Sequence, residues 1–116
     1  MAFDEIQTQR IKNVVCAYVE RHRPPASIRA QVDLAFRLTG QSVELFEIRP
    51  PFQGSPGEIL ELPFAKATFV RTSSTWRVFW RRADLKWHAY PPEPHVESVE
   101  RFLYLVEQDS HACFRG

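Results

Sequence analysis

The chain has 116 residues, of which 44% are hydrophobic and 25% charged, so it can bury one core and fold as a single domain over residues 1–116. A net charge of +1 argues against a protein that binds polyanions over its whole surface. No apolar run approaches the roughly 18 residues of a membrane span, and the N-terminus lacks a signal-peptide pattern. We therefore expect a cytoplasmic protein with no membrane contact and, from twelve Arg against three Lys, a bacterial one.

The first predicted element is a helix near the N-terminus. Asp4 followed by Gln7 fits a capping box. Pro24 and Pro25 end the helix because proline cannot continue it. The apolar residues that repeat at three- and four-residue spacing, and so form one helical face, are Ile11, Val14, Val15, Tyr18 and Val19.

Five strands are predicted next, because the apolar period changes from 3.6 to 2 after the prolines. Gly40 is placed in the first turn, where a positive φ is needed. Pro63 marks the start of the third strand, since proline inside a central strand removes a ladder hydrogen bond. Residues 50–58, rich in Pro and Gly, form a loop. The predicted strands cover residues 31–38, 42–49, 64–70, 76–81 and 86–90.

A second helix is predicted after the strands. Pro94 is placed near its first turn, and Phe114 in the tail is expected to dock on the core. Its apolar face is formed by Val96, Val99, Phe102, Leu103 and Val106. The order α-β-β-β-β-β-α predicts an α+β fold, a five-stranded antiparallel sheet flanked by N- and C-terminal helices.

Side-chain alternation in the fourth and fifth strands separates aromatic from basic residues. If residues 72–75 form the loop between the third and fourth strands, Ala67 lies opposite Trp80. If residues 82–85 form the next loop, Trp80 lies opposite Trp87 and Arg81 opposite Lys86. This register places all three tryptophans, Trp76, Trp80 and Trp87, in the core beneath both helices.

The opposite sheet face is the candidate binding surface. It belongs to residues 64–90, which hold six basic and one acidic side chain. Arg81 opposite Lys86 is a like-charge pair that a carboxylate such as Asp33 or Glu44, or the phosphates of a ligand, would relieve. The predicted ligand-binding residues are Lys66, Arg77, Phe79, Arg81, Lys86, His88 and Tyr90. The alternative is a solvated face whose charges serve solubility.

Three segments carry a family resemblance: "GQSVELFEIRP", "FAKATFVRTSSTWRVFWRRADLKWHAY" and the terminal "CFRG". With them the chain, from about Arg10 to Gly116, resembles a family of small bacterial proteins known only as domain of unknown function 3024. The "RADLKWH" block is its most distinctive part. The resemblance implies a bacterial single-domain protein and supplies no activity, cofactor or site residues.

The favoured function is a non-enzymatic binding module for single-stranded nucleic acid or another phosphate-bearing ligand. No catalytic residues are assigned, and no cofactor or metal is expected, because the chain has neither a nucleophile motif nor a glycine-rich phosphate loop. A zinc site would need His111, Cys113, Cys16 and a further histidine, without the usual paired spacing.

Two alternative functions stay open. A magnesium-dependent nuclease would use the Asp84-x-Lys86 triplet, with Asp33, Glu44 and Glu47 as further carboxylates. A protein–protein interaction module or homodimer would use a sheet edge or the loop that carries Phe52.

Overall fold

One antiparallel sheet forms the centre of the protein, and both helices pack on the same face of it. The computed structural model describes residues 3–50, 57–110 and 113–114, so predictions for Phe52 and His111 lie outside the described residues. The elements are α1 (Glu5–His22), a single-turn 3-10 helix (Ala26–Ile28), β1 (Asp33–Thr39), β2 (Ser42–Arg49), β3 (Leu60–Val70), β4 (Thr75–Arg81), β5 (Trp87–Ala89), β6 (His95–Val96) and α2 (Val99–Gln108). The predicted α+β fold is confirmed.

The predicted limits of α1 are confirmed by its capping interactions. The Asp4 carboxylate accepts a hydrogen bond from the Gln7 N–H at 2.7 Å, and the Gln7 side chain accepts one from the Asp4 N–H at 3.2 Å. At the other end the helix stops at His22, two residues before Pro24. Local sequence therefore fixes both ends of α1.

The second helix begins later than predicted. Ser98 is its N-cap, and its hydroxyl accepts a hydrogen bond from the Arg101 N–H at 3.1 Å. The prediction that places Pro94 in the first helical turn is wrong. The Pro94 carbonyl instead accepts a hydrogen bond from the Val78 N–H at 2.9 Å, and the next two residues form β6. Because residues 95–96 pair with β4, the helix begins only after them.

The strands follow one another in the order β1-β2-β3-β4-β5, and every pairing is antiparallel. The short strand β6 pairs with the same edge of β4 as β5 does, further along. Between them the Tyr90 N–H donates to the Val78 carbonyl at 2.9 Å. Residues 87–96 therefore act as one edge strand that is interrupted between Tyr90 and Pro94.

The core lies between the helices and the sheet. Trp76 is 5% exposed in this layer, as predicted, and the tail residue Phe114 is 6% exposed with its ring 4.7 Å from that of Tyr90. Residues from both helices join one buried cluster with small and branched side chains of the central strands, among them Ile11, Val15, Phe102, Val106, Val43, Leu45, Ala65, Ala67 and Val78. Neither described helix is long and apolar enough to cross a membrane.

Strand β3 is longer than predicted, and Pro63 lies within it rather than at its start. Pro63 pairs with Phe46 of β2, beside a bulge in the ladder. Strand β4 pairs with β3 only from Ala65 onward, so Pro63 has β2 as its strand neighbour. The missing N–H of proline is tolerated at such an edge, and this explains why the strand extends past it.

Candidate functional site

The outer face of the sheet is the face turned away from the helices. Helix α1 packs on the other face through Ile11 and Val15, and α2 does so through Phe102 and Val106. The outer face is therefore free of helices over the described part of the chain. This arrangement is the one that a binding surface on the sheet requires.

The register between β3 and β4 differs from the predicted one by two residues. The loop consists of residues 71–74 instead of 72–75, and Phe69 lies opposite Trp76, Ala67 opposite Val78 and Ala65 opposite Trp80. Because side chains alternate with a period of two, the predicted faces survive the shift. Lys66 and Phe79 are direct neighbours on the outer face.

The register between β4 and β5 differs by one residue, and this changes the site. Arg81 lies opposite Trp87 and Trp80 opposite His88. The prediction that Trp80 opposes Trp87 and that Arg81 opposes Lys86 is therefore wrong. Trp87 belongs to the outer face, and His88 to the helix-facing side.

The turn between the two strands explains the shift. The Arg82 N–H donates to the Lys86 carbonyl at 3.2 Å, so only residues 83–85 form the loop. Leu85 takes a left-handed conformation with φ of +63°, and the Asp84 carboxylate accepts a hydrogen bond from the Lys86 N–H at 2.9 Å. A three-residue loop that ends in a left-handed residue is a common hairpin type.

Five outer-face residues form the basic aromatic patch: Lys66, Arg77, Phe79, Arg81 and Trp87. The Lys66 ammonium lies 5.1 Å from the centre of the Phe79 ring and 4.9 Å from that of Trp87. The guanidinium of Arg77 lies 5.0 Å from the Phe79 ring, and that of Arg81 lies 5.9 Å from the Trp87 ring. These are cation–π distances.

The cations of the patch differ from most other arginines of the protein. Arg10, Arg23, Arg37, Arg49 and Arg101 each form a salt bridge with a carboxylate. Within the described residues, by contrast, none of the three patch cations forms a salt bridge with a carboxylate. The Nε atom of Arg81 is buried and has no hydrogen-bond acceptor among the described atoms.

The other half of the outer face is electrically compensated. Arg37 on β1 lies 3.4 Å from the Glu44 carboxylate and 2.8 Å from that of Glu61, and it covers the Phe46 ring at 4.4 Å. Glu44 is also the register neighbour of Lys66. Burial lowers the pKa of Lys66, and the Glu44 carboxylate acts in the opposite direction. The patch therefore begins at Lys66 and extends toward β5.

Three predicted site residues do not join the patch. Lys86 closes the turn and lies just before β5, outside the strand. His88 Nε2 lies 2.9 Å from the Asp84 carboxylate. Tyr90 is 2% exposed in the core, where burial raises the pKa of its hydroxyl. All three follow the shortened turn, so the one-residue shift accounts for each misplacement.

The carboxylates considered for a nuclease do not converge. Asp33 accepts two hydrogen bonds from Arg23 at 2.9 and 2.7 Å, and these lower its pKa. Asp84 is held by its own turn and by His88, and Glu44 pairs with Arg37. Over residues 3–50, 57–110 and 113–114 no group of three His, Cys, Asp or Glu side chains is arranged to hold a metal ion.

Sequence reasoning missed Trp87 as a site residue. The available signal was Asp84, whose carboxylate can bond the N–H two residues ahead and so favour a shorter turn. Leu85 points against the shorter turn, because that turn needs a positive φ at position 85 and leucine rarely adopts one.

Comparison with known proteins gives a family and no function. No curated protein and no solved structure matches this chain. The model of one family, described as Domain of unknown function (DUF3024), matches residues 3–116. The chain therefore belongs to the DUF3024 family, as its sequence resemblance implied.

Proposed function

We propose that this chain is a non-enzymatic binding module of the bacterial cytoplasm. Its basic aromatic patch takes single-stranded nucleic acid or another phosphate-bearing ligand. The observation that carries the proposal is that Lys66, Arg77 and Arg81 surround two aromatic rings and, within the described residues, form no salt bridge with a carboxylate.

The three cations of the patch can bind a phosphate while they stay in contact with the two aromatic rings. A ring attracts the charge of a guanidinium or ammonium group, but it does not accept the directed hydrogen bonds that these groups donate. Phosphate oxygens accept such bonds and are charged.

The two rings favour a nucleic acid over a bare phosphate. Phe79 and Trp87 lie on adjacent strands and share Lys66 as a neighbour. Surfaces that bind single strands combine cations for the backbone with rings on which bases stack, without needing a base-specific pattern. On the other half of the outer face, Arg37 is already paired with carboxylates, so a bound nucleic-acid strand would lie over β3, β4 and β5.

The test is binding of labelled single-stranded DNA and RNA, followed by fluorescence anisotropy over a range of salt concentrations. The Arg77→Ala/Arg81→Ala variant is expected to lower the slope of log K against log salt by about 1.4, since each lost phosphate contact on a single strand contributes about 0.7. Both side chains lie on the outer face, so the fold should be kept.

A matched control is the Lys12→Ala/Arg21→Ala variant. It removes the same charge from exposed positions on α1, neither of which has a salt bridge among the described residues. Its binding should stay close to that of the unchanged protein. Absence of binding at low salt, or equal losses in the two double variants, would refute the proposal.

A further inference from the structure

The outer face of the sheet continues past β5 onto the short strand β6. Both residues of β6 pair with β4, Val96 opposite Trp76 and His95 opposite Arg77. Residues directly opposite each other in an antiparallel ladder share a face. Val96 is 4% exposed beside the core residue Trp76, so His95 lies on the outer face with Arg77.

The imidazole of His95 is accessible to a ligand. His95 is exposed, and its side chain forms no hydrogen bond or salt bridge within the described residues. The Arg77 guanidinium opposite it lies over the Phe79 ring at 5.0 Å. The Cβ atoms of directly opposite residues in such a ladder are about 4.5–5.5 Å apart. A single phosphate can therefore contact both side chains.

The charged groups around His95 come from β4 and from the segments before and after β6. Arg77 is its neighbour on β4. The Glu93 carboxylate, before β6, accepts two hydrogen bonds of 2.8 Å from Arg101 of α2, so its charge is compensated. Glu97, just after β6, is exposed and forms no salt bridge in the described part of the chain. Glu97 thus offsets the charge of Arg77, and protonation of His95 leaves one positive charge in excess.

The edge formed by β5 and β6 connects His95 with the basic aromatic patch. Along this edge the exposed Ala89 lies opposite Phe79, with Trp87 on one side and His95 on the other. Because the alanine side chain is small, it leaves the neighbouring part of the Phe79 ring uncovered. A nucleic-acid strand that lies over Phe79 along β4 would therefore meet Trp87 at one end and His95 at the other.

We propose that His95 is a further ligand-contacting residue of the patch and that, once protonated, it holds a phosphate of the bound strand together with Arg77. This inference rests on the function proposed above. Histidine is the side chain whose charge ordinarily changes between about pH 5 and 8. Protonated His95 and Arg77 repel each other, and a phosphate between them attracts both. Binding of the ligand and binding of the proton therefore favour each other, so the ligand is held more tightly as the pH falls.

The test is binding of labelled oligothymidylate to the full chain, followed by fluorescence anisotropy over a range of salt concentrations at about pH 5.5 and about pH 8. Thymine has no group that titrates in this range, so a change reports on the protein. Binding at the lower pH should be about twofold to fivefold tighter, as for one exposed ion pair. The slope of log K against log salt should be steeper by about 0.7, as for one further phosphate contact. His95→Gln should abolish both differences, whereas the control His22→Gln, which changes a residue beside Glu107 of α2, should keep them.

A third variant, Glu97→Gln, tests whether the proton acts through the ligand or through the neighbouring carboxylate. Its binding should keep the pH dependence, and circular dichroism checks that each variant is folded. Equal affinities at the two pH values, a pH dependence that persists in His95→Gln, or one that disappears in Glu97→Gln would overturn this inference. The proposed function would still stand if the Arg77→Ala/Arg81→Ala variant lost binding. Failure of the unchanged protein to bind at either pH would overturn both.

Discussion

The position of Trp87 on the outer face gives the sharpest prediction, because it separates the observed register from the one that alternation alone predicts. Replacing Trp76 by alanine removes a ring that is 5% exposed in the core. Such a substitution costs about 3–5 kcal/mol of the free energy of unfolding. Replacing Trp87 should cost much less, since its ring contacts other residues mainly on the open face.

The cost of Trp87→Ala follows from its contacts. The ring attracts Lys66 at 4.9 Å and Arg81 at 5.9 Å. Each such interaction at a partly exposed site contributes about 0.5–1 kcal/mol, so the loss should be about 1–2 kcal/mol. Under the predicted register, with Trp87 in the core, its cost would equal that of Trp76→Ala.

Urea unfolding followed by far-UV circular dichroism measures both variants without relying on tryptophan fluorescence. We expect Trp87→Ala to be the more stable of the two by at least about 1 kcal/mol. It should also weaken single-strand binding by about 1–3 kcal/mol if a base stacks on the ring. Equal stability losses in the two variants would refute the observed register. A weak stability loss with unchanged binding would remove Trp87 from the ligand site.

Three further predictions concern the turn, the N-terminal half of the sheet and the tail. Leu85→Gly should raise the free energy of unfolding by about 1 kcal/mol, because glycine takes the left-handed conformation freely; a decrease in urea unfolding would contradict this. Arg23 lowers the pKa of Asp33, so their pairing stabilises the fold above about pH 4 and is lost as the pH falls further. The difference in free energy of unfolding between the unchanged protein and Asp33→Asn should therefore shrink in acid unfolding titrations. A difference that stays constant with pH would contradict this prediction. Phe114→Ala should cost about 3–5 kcal/mol of the free energy of unfolding, since the buried ring packs against that of Tyr90. A thermal melt unchanged by this substitution would place the tail outside the core.

Much of the fold could be predicted from local sequence signals. The capping box at Asp4, the prolines after α1 and the alternation in β1 each act over a few residues, and the structure confirms them. The start of α2 was not predictable in the same way. Its position depends on the hydrogen bond from Val78 to the Pro94 carbonyl, which joins residues distant in sequence.

The candidate site was only half predictable for a related reason. A register error of two residues between β3 and β4 leaves Lys66, Arg77, Phe79 and Arg81 on the outer face. An error of one residue at the next loop exchanges the faces of everything after it. Alternation predicts which side chains share a face within a strand, but loop length decides how that face continues into the following strand.

The length of the three-residue turn between Arg82 and Lys86 also determines which side chains of β5 the outer face presents, so evolution can change this surface by changing the turn. A single inserted residue there would turn Trp87 toward the helices and His88 toward solvent, without changing any side chain of the sheet. Within the family, the length of this turn would then separate members that present an indole to a ligand from members that use it to enlarge the interior. Gain or loss of the surface would need one codon rather than a set of coordinated substitutions.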